Sequence, residues 1–314
     1  MGDFTIKSAV ITGATGVVGT ALIEKLTAQG VNVLVLARKN GRTEKLPKHP
    51  LADVRFCALD ELKNFELREG EKYDAFFHLG WCGTYGAERA DRDLQQKNIE
   101  YTLDAVRLAK KLGCAVFTGA GSQAENGVLP YGTRVSDTAP ENPESEYGKA
   151  KLAAGKESRD LCKALGIRHE WCRILSAYGP GDTPRSMVMS TLTKMLKGED
   201  CDFTKAEQVW DYAFCGDVAN ALYLAAANGK DGAIYAVGSG EMRTLKDYIL
   251  TMARVTGTKS HLNFGAVEYY PNQPMFLCAD TRKLRCDTGF APQTDFECGI
   301  MKTAAFLKEG SIDE

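Results

Sequence analysis

Tyr147 and Lys151 stand four residues apart in the segment Tyr147-Gly148-Lys149-Ala150-Lys151. If the segment is helical, both side chains fall on one face. A free phenol, with a pKa near ~10, is a poor acid–base group at neutral pH. A cation at ~4 Å, through an effective dielectric of ~20, contributes about 4 kcal/mol, close to three pKa units. Lys151 could supply that charge. Tyr147 would then donate a proton to a carbonyl oxygen, or remove one from an alcohol, as a hydride moves. Such chemistry needs a hydride carrier. About 130 residues upstream stands Thr12-Gly13-Ala14-Thr15-Gly16-Val17-Val18-Gly19, after an apolar run and before an amphipathic stretch. In this strand–turn–helix setting Gly13, Gly16 and Gly19 let the backbone approach a pyrophosphate. The helix start at Thr15, Val17 and Val18 offers N–H groups and partial positive charge. The pair of motifs predicts a nicotinamide dinucleotide beside an activated tyrosine.

The next apolar run, Val31–Ala37, ends in Arg38 and Lys39, with Arg42 close behind and no acid between Val31 and Thr43. An Asp or Glu in this region meets the 2′-hydroxyl of NAD, whereas an Arg accommodates the 2′-phosphate of NADP. The reading favours NADP over NAD. Asp60 is a candidate for the adenine amine, or else a surface turn residue.

These groups need a frame. Apolar runs at Ala9–Thr12, Val31–Ala37, Val54–Ala58, Asp74–His78, Ala115–Thr118 and Glu170–Leu175 read as strands. Helical patterns at Thr20–Gln29, Arg92–Leu112 and Tyr147–Leu165 alternate with them. Val31–Ala37 shows no polar alternation, as befits a parallel strand buried on both faces. The alternation predicts an α/β fold: a Rossmann-type doubly wound parallel sheet. Beyond Gly179-Pro180-Gly181 the pattern loosens. Helices are expected at Met187–Lys197 and Asp217–Asn228, a returning strand at Ala233–Val237, and a smaller mixed α/β C-terminal lobe. Residues 1–180 are assigned to the dinucleotide-binding domain, with 207–240 returning to it, and 181–314 mainly to a substrate-binding lobe.

Composition narrows the function classes. The 314 residues, 44% hydrophobic, suffice for a large core. A net charge of −2 lacks the basic excess that nucleic-acid binding needs. No apolar run reaches membrane-spanning length, and the N-terminus runs into a strand without room for a signal peptide. Ten cysteines without a CxxC pair, among them Cys57, Cys114 and Cys172 in apolar runs, read as reduced thiols in a cytoplasmic protein. The four histidines have no metal-ligand spacing, so no metal is expected.

Taken together, TGATGVVG (12–19), FFHLGW (76–81), Asn98, FTGAGSQAENG (117–127), YGKAK (147–151), RILSAYGPGD (173–182) and WDYAFCGDVA (210–219) form a recognisable set. In order and content it resembles the extended short-chain dehydrogenase/reductase superfamily, in its nucleotide-sugar epimerase/dehydratase branch. The resemblance covers roughly residues 7–240. It implies Ser122, Tyr147 and Lys151 as catalytic triad, Leu79 and Gly80 beside the cofactor, and Asn98 as a structural residue that orders water near the lysine. It also implies a homodimer through a four-helix bundle of Arg92–Leu112 and Tyr147–Leu165. Dehydratases of this branch place an acid just after the serine; here stand Gln123 and Ala124, and Glu125 is one position late. The 3,5-epimerising reductases use a Cys and a His where this chain has Ala124 and Gly181. Hydride transfer alone remains, in a 4-ketoreductase or a 4-epimerase of a nucleotide sugar, and Arg38 favours the NADPH-dependent reductase. The segment Phe264–Met275 with Ala279-Asp280 looks similar to the corresponding part of nucleotide-linked 4-keto-deoxyhexose reductases. Two places depart from the pattern: Trp210 stands where an Arg is common, and Val267–Ala279 has no Arg for a diphosphate. Trp81, Tyr85 and Tyr178 are candidate walls of a sugar pocket or ordinary packed aromatics, Gln123 is a candidate substrate contact, and Trp210 either stacks on a base or packs in the core. Arg185, Lys194 and Arg282 are candidate phosphate contacts or solvated surface charges. A non-sugar carbonyl reductase and a non-catalytic NADP-binding sensor are the further alternatives.

Overall fold

A computed structural model describes residues 4–41 and 43–310; Arg42 lies outside the described residues. Seven parallel strands form one sheet: β1 (Ser8–Thr12), β2 (Asn32–Ala37), β3 (Ala52–Phe56), β4 (Ala75–His78), β5 (Val116–Ser122), β6 (Arg168–Ile174) and β7 (Ala233–Val237). Their spatial order is β3-β2-β1-β4-β5-β6-β7. The order reverses direction between β1 and β4, and ligands of open α/β sheets bind in the crevice beyond that switch point. The sequence rationale holds at atomic level: in β2 every residue from Val33 to Ala37 is buried. The doubly wound α/β sheet is thus as expected.

Helices α1 (Val17–Ala28), α2 (Arg92–Lys111) and α3 (Glu146–Leu165) cover the sheet. The start of α3 sets the chemistry. Ser145 caps it, its hydroxyl accepting from the Gly148 amide at 3.1 Å. Tyr147 therefore sits in the first turn and Lys151 one turn later. At the other end Gly166, at φ 70°, closes the helix in the left-handed conformation that favours glycine.

The largest departure from the sequence reading is β5, which was expected to stop at Thr118 and instead runs to Ser122. Gly119 and Gly121 remain in the strand because the neighbouring strand contributes Trp171. A Cβ on Gly119 or Gly121, or on Gly155 of α3, would collide with the indole ring. Three glycines thus form a slot for one tryptophan between sheet and helix.

After β6 the chain leaves the sheet through Ser176–Tyr178 and builds the smaller lobe from α4 (Met187–Lys197), α6 (Leu245–Thr256), α8 (Phe296–Gly310) and short strand pairs. It returns between them as α5 (Cys215–Asn228) and β7, and α5 packs on α1. Helix α7 (Arg282–Thr288) also packs against α5 and β7. The lobe's core is aromatic: Tyr178, Tyr212, Tyr248 and Phe296 meet with ring centroids 4.5–6.2 Å apart. Tyr178 belongs here rather than to a sugar pocket. It is fully buried, and its hydroxyl donates to the Phe296 carbonyl at 3.3 Å. Cys57, Cys114 and Cys172 are buried free thiols. No described helix is long and apolar enough to cross a membrane.

The tryptophan slot makes a direct prediction. Gly155→Ala forces a methyl group into the indole and should destabilise the fold by about 1–3 kcal/mol. A chemical-denaturation midpoint that falls at unchanged slope confirms this; an unchanged midpoint contradicts the packing described.

Candidate active site

A cleft of about 560 Å³ opens at the C-terminal ends of the central strands. Its floor is the glycine turn, and the three glycines have different reasons to be glycine. A Cβ on Gly13, at φ 73°, would strike the backbone of Leu79 and Gly80, and one on Gly19 would strike that of Gly13 and Ala14. These two let β1, β4 and α1 approach one another. A Cβ on Gly16 would meet only the Gly13 carbonyl, at an ordinary 3.5 Å. The fold itself does not require glycine there, and the open space beside Gly16 belongs to the cleft. Gly16 also starts α1 with no side-chain cap and no acid in the first turn, which leaves the first amides available to an anion. Thr15, Val17, Val18, Leu79 and Gly80 line the same floor.

Arg38 lines the cleft from the end of β2, and among the described residues its guanidinium is in no ion pair. Lys39 and Asp60 are exposed and do not line the cleft; Leu59 does instead. These features fit a dinucleotide whose pyrophosphate lies on α1 and whose adenosine ribose points to Arg38.

At the other end Ser122, Tyr147 and Lys151 converge, brought from β5 and the first two turns of α3. All three are buried, at 9%, 8% and 4% exposure. The Lys151 ammonium donates to the Ala120 carbonyl at 2.7 Å and lies 3.7 Å from the centroid of the Trp81 ring. It stands 6.0 Å from the Tyr147 ring centroid. Burial lowers the Lys151 pKa to about 7, against the pull of the Glu125 charge. Burial likewise raises the Tyr147 pKa; a Ser122 hydrogen bond and the Arg89 charge oppose the rise, and the Glu125 charge adds to it. The sequence argument expected Lys151 to bring the phenol down by nearly three units. That expectation counted the charge and omitted the desolvation of both partners, which is the larger effect here.

Several expected residues take other roles. Asn98 is buried, and its side chain is spent on the Cys82 backbone, accepting from the amide at 2.8 Å and donating to the carbonyl at 2.9 Å. It shapes the loop that carries Trp81 and does not line the cleft. Trp81, Tyr85 and Gln123 do line it. Trp210 lies behind the wall, its indole donating to Ser176 at 2.8 Å. Arg185, Lys194 and Arg282 are exposed and off the cleft, and Arg282 is paired with Asp280.

Two side chains take roles that the sequence did not assign to them. Glu125 is fully buried and accepts from the Ser122 amide at 2.7 Å, from the Trp171 indole at 3.0 Å and from Arg173 at 2.7 Å. Ser122-x-x-Glu125 is the spacing of a capping box, so a signal was present. Arg89, from the short turn Gly86–Ala90, lies with its guanidinium carbon 4.0 Å from the Tyr147 ring centroid. No sequence pattern announces it.

The comparisons agree with this geometry. Residues 9–238 match the model of the NAD dependent epimerase/dehydratase family. CDP-abequose synthase of Salmonella typhimurium is 25% identical over 310 residues, covering 95% of this chain and 97% of that protein. A dTDP-6-deoxy-L-talose 4-dehydrogenase (NAD(P)(+)) of Kitasatospora kifunensis is 27% identical over 265 residues, covering 80% of each. The structure of a UDP-glucose 4-epimerase of Thermotoga maritima with UDP-glucose superposes at a TM-score of 0.85, with 21% identity over 97% of this chain and 99% of that one. The chain belongs to the NAD dependent epimerase/dehydratase family and is an enzyme of the extended short-chain dehydrogenase/reductase type.

Proposed function

We propose that this enzyme is an NADPH-dependent reductase of a nucleotide-linked 4-ketosugar. The observation that carries the reading is the fate of Glu125. It is the carboxylate nearest Ser122 in sequence, and it is locked into hydrogen bonds with Ser122, Trp171 and Arg173. Both of its oxygens are taken up by these donors, and it does not line the cleft, so it is not aimed at a leaving hydroxyl. Among the described residues the only carboxylate lining the cleft is Asp182, which comes from the turn after Ser176–Tyr178 and accepts from the Thr183 amide. The groups gathered around Ser122 suit hydride transfer coupled to one proton, without elimination. Two relatives bear names that fit this class of substrate, a CDP-sugar synthase and a dTDP-deoxysugar 4-dehydrogenase.

A nicotinamide dinucleotide held by the glycine turn and Arg38 would supply the hydride for the new C–H bond at the carbonyl carbon. Ser122 holds the carbonyl oxygen by a hydrogen bond as negative charge develops on it. The Tyr147 hydroxyl gives that oxygen its proton and is left as phenolate, to be reprotonated from solvent. Because burial raises the phenol pKa, Tyr147 is held in the protonated form that a reductase needs. Trp81 packs edge-on against it, 6.0 Å between centroids, and fixes the ring.

Arg38 supports NADP over NAD, because its side chain borders the cleft at the end of β2 with no acid beside it. A retained NAD, tightly bound through purification, points instead to the alternative of an epimerase that regenerates its own cofactor.

Three outcomes follow. Arg38→Ser should weaken NADPH binding by about tenfold or more, the loss of a charge-assisted hydrogen bond of roughly 1.5–3 kcal/mol, and leave NADH binding nearly unchanged. Fluorescence titration checks this, and equal losses for both cofactors contradict it. Tyr147→Phe should lower kcat by about 10²–10⁴-fold while NADPH still binds; turnover close to that of the parent removes Tyr147 from its role. Lys151→Met tests the buried amine through stability. Between its folded pKa of about 7 and its ordinary value of 10.5, the unfolded chain holds a proton that the folded protein has lost. Folding of the parent therefore gains stability as pH rises through that window. The variant should be the more stable protein at pH 7 and below and lose that advantage towards pH 10. A difference in melting temperature that does not change with pH contradicts the assignment.

A further inference from the structure

Arg89 is the cation nearest the tyrosine ring, and nothing in the family pattern assigns it a task. Its guanidinium carbon lies 4.0 Å from the Tyr147 ring centroid, whereas the Lys151 ammonium lies 6.0 Å away, against Trp81 and the Ala120 carbonyl. One of its terminal nitrogens donates to the Thr84 carbonyl at 3.1 Å, which anchors the head on the loop after β4. It borders the cleft beside Thr84 and Tyr85. The groups around Tyr147 come from every element packed on it: Ser122 from β5, Glu125 from the turn after it, Lys151 on the same helix, and Arg89 from the turn before α2. Helix α2 meets α3 through Ile99.

We propose that Arg89 is a positioning residue for the proton-transfer step, a permanent cation stacked on Tyr147 that stabilises the phenolate left when the proton has gone to substrate. The physical reason is the difference between two cations. A guanidinium stays charged at any working pH and is weakly hydrated, so it keeps its charge against an aromatic face. Lys151 is buried deeply enough to lose its proton near neutrality, so its help fades as pH rises. Arg89 does not fade. Its attraction for the ring grows when the phenol becomes phenolate, so it acts more strongly after proton transfer than before, as catalysis requires. It also opposes Glu125, whose negative charge works against the phenolate.

The inference rests on Tyr147 being the proton donor proposed above, so the test includes a readout that needs neither substrate nor cofactor. Tyrosines are replaced by 3-fluorotyrosine, whose more acidic phenol keeps the titration within the folded range. The Tyr147 signal is assigned by its disappearance in Tyr147→Phe, and its ¹⁹F shift is followed against pH. In Arg89→Gln the signal should titrate at least about one unit higher than in the parent. In Arg89→Lys, which keeps the charge, it should stay close to the parent. The pH profile of kcat should shift in the same direction in Arg89→Gln, with the NADPH dissociation constant unchanged. A Tyr147 signal that titrates identically in parent and Arg89→Gln overturns the proposal. A shifted signal in a protein that reduces no nucleotide 4-ketosugar upholds the electrostatic role and overturns only the reaction.

Discussion

The Glu125 carboxylate, fully buried, accepts hydrogen bonds from the Ser122 amide, the Trp171 indole and the Arg173 guanidinium. Arg173 is itself 1% exposed and reaches on to Glu141, which pairs with Lys156 of α3 at 2.7 Å. One chain of charges thus joins the turn after β5, the end of β6, the loop before α3 and α3 itself. Taking such ions out of water is expensive, and removing one partner of a buried pair costs about 3–5 kcal/mol. The arrangement persists because both Glu125 oxygens are engaged by donors. It also explains Gly121, where a Cβ would press on a Glu125 oxygen at 2.6 Å and on the Trp171 ring. Ser122 is held by its own backbone to this network, so the position of its hydroxyl is set by packing beneath the cleft rather than by the loop above it.

The wall built on this foundation is largely buried. Tyr147 and Lys151 are both buried, and burial opposes the charged form of each. The phenol stays protonated and the amine gives up its proton easily, the reverse of an isolated ammonium–phenolate pair. Two aromatic rings take up the neighbouring cations: Lys151 lies on Trp81, and Arg89 lies on Tyr147. With Trp81 edge-on to Tyr147 the four groups form a stack in which each cation faces a ring. A reductase needs a proton donor that holds its proton until a carbonyl arrives, and burial of the phenol favours that form.

The sheet was legible because its strands are apolar runs separated by helical patterns, and parallel strands buried on both faces leave that signature. The glycine turn and the Tyr147–Lys151 pair were legible because local spacing fixes their geometry. Tyr178, Trp210 and Arg282 stayed ambiguous for a different reason. An aromatic or a cation in a loop looks the same whether it faces a cleft, a core or a neighbouring acid, and long-range packing decides among them. The extent of β5 was missed because the apolar run ends at Thr118, and only Trp171, some fifty residues on, explains Gly119 and Gly121 as strand. Asn98 carried only its family role, because its partner Cys82 lies sixteen residues upstream, on a loop that no sequence pattern docks there. Arg89 was invisible because a cation over a ring leaves no mark in sequence.

The central claim is that this cleft moves a hydride outward from an exchangeable cofactor to carbon 4 of a nucleotide-linked sugar. It is tested most directly by supplying NADPH carrying deuterium at the transferred position together with a nucleotide 4-ketosugar, and following both products. The account predicts one NADP⁺ formed for each sugar reduced, with the deuterium at C4 of the product. Interconversion of two nucleotide sugars with no net oxidation of NADPH would contradict it.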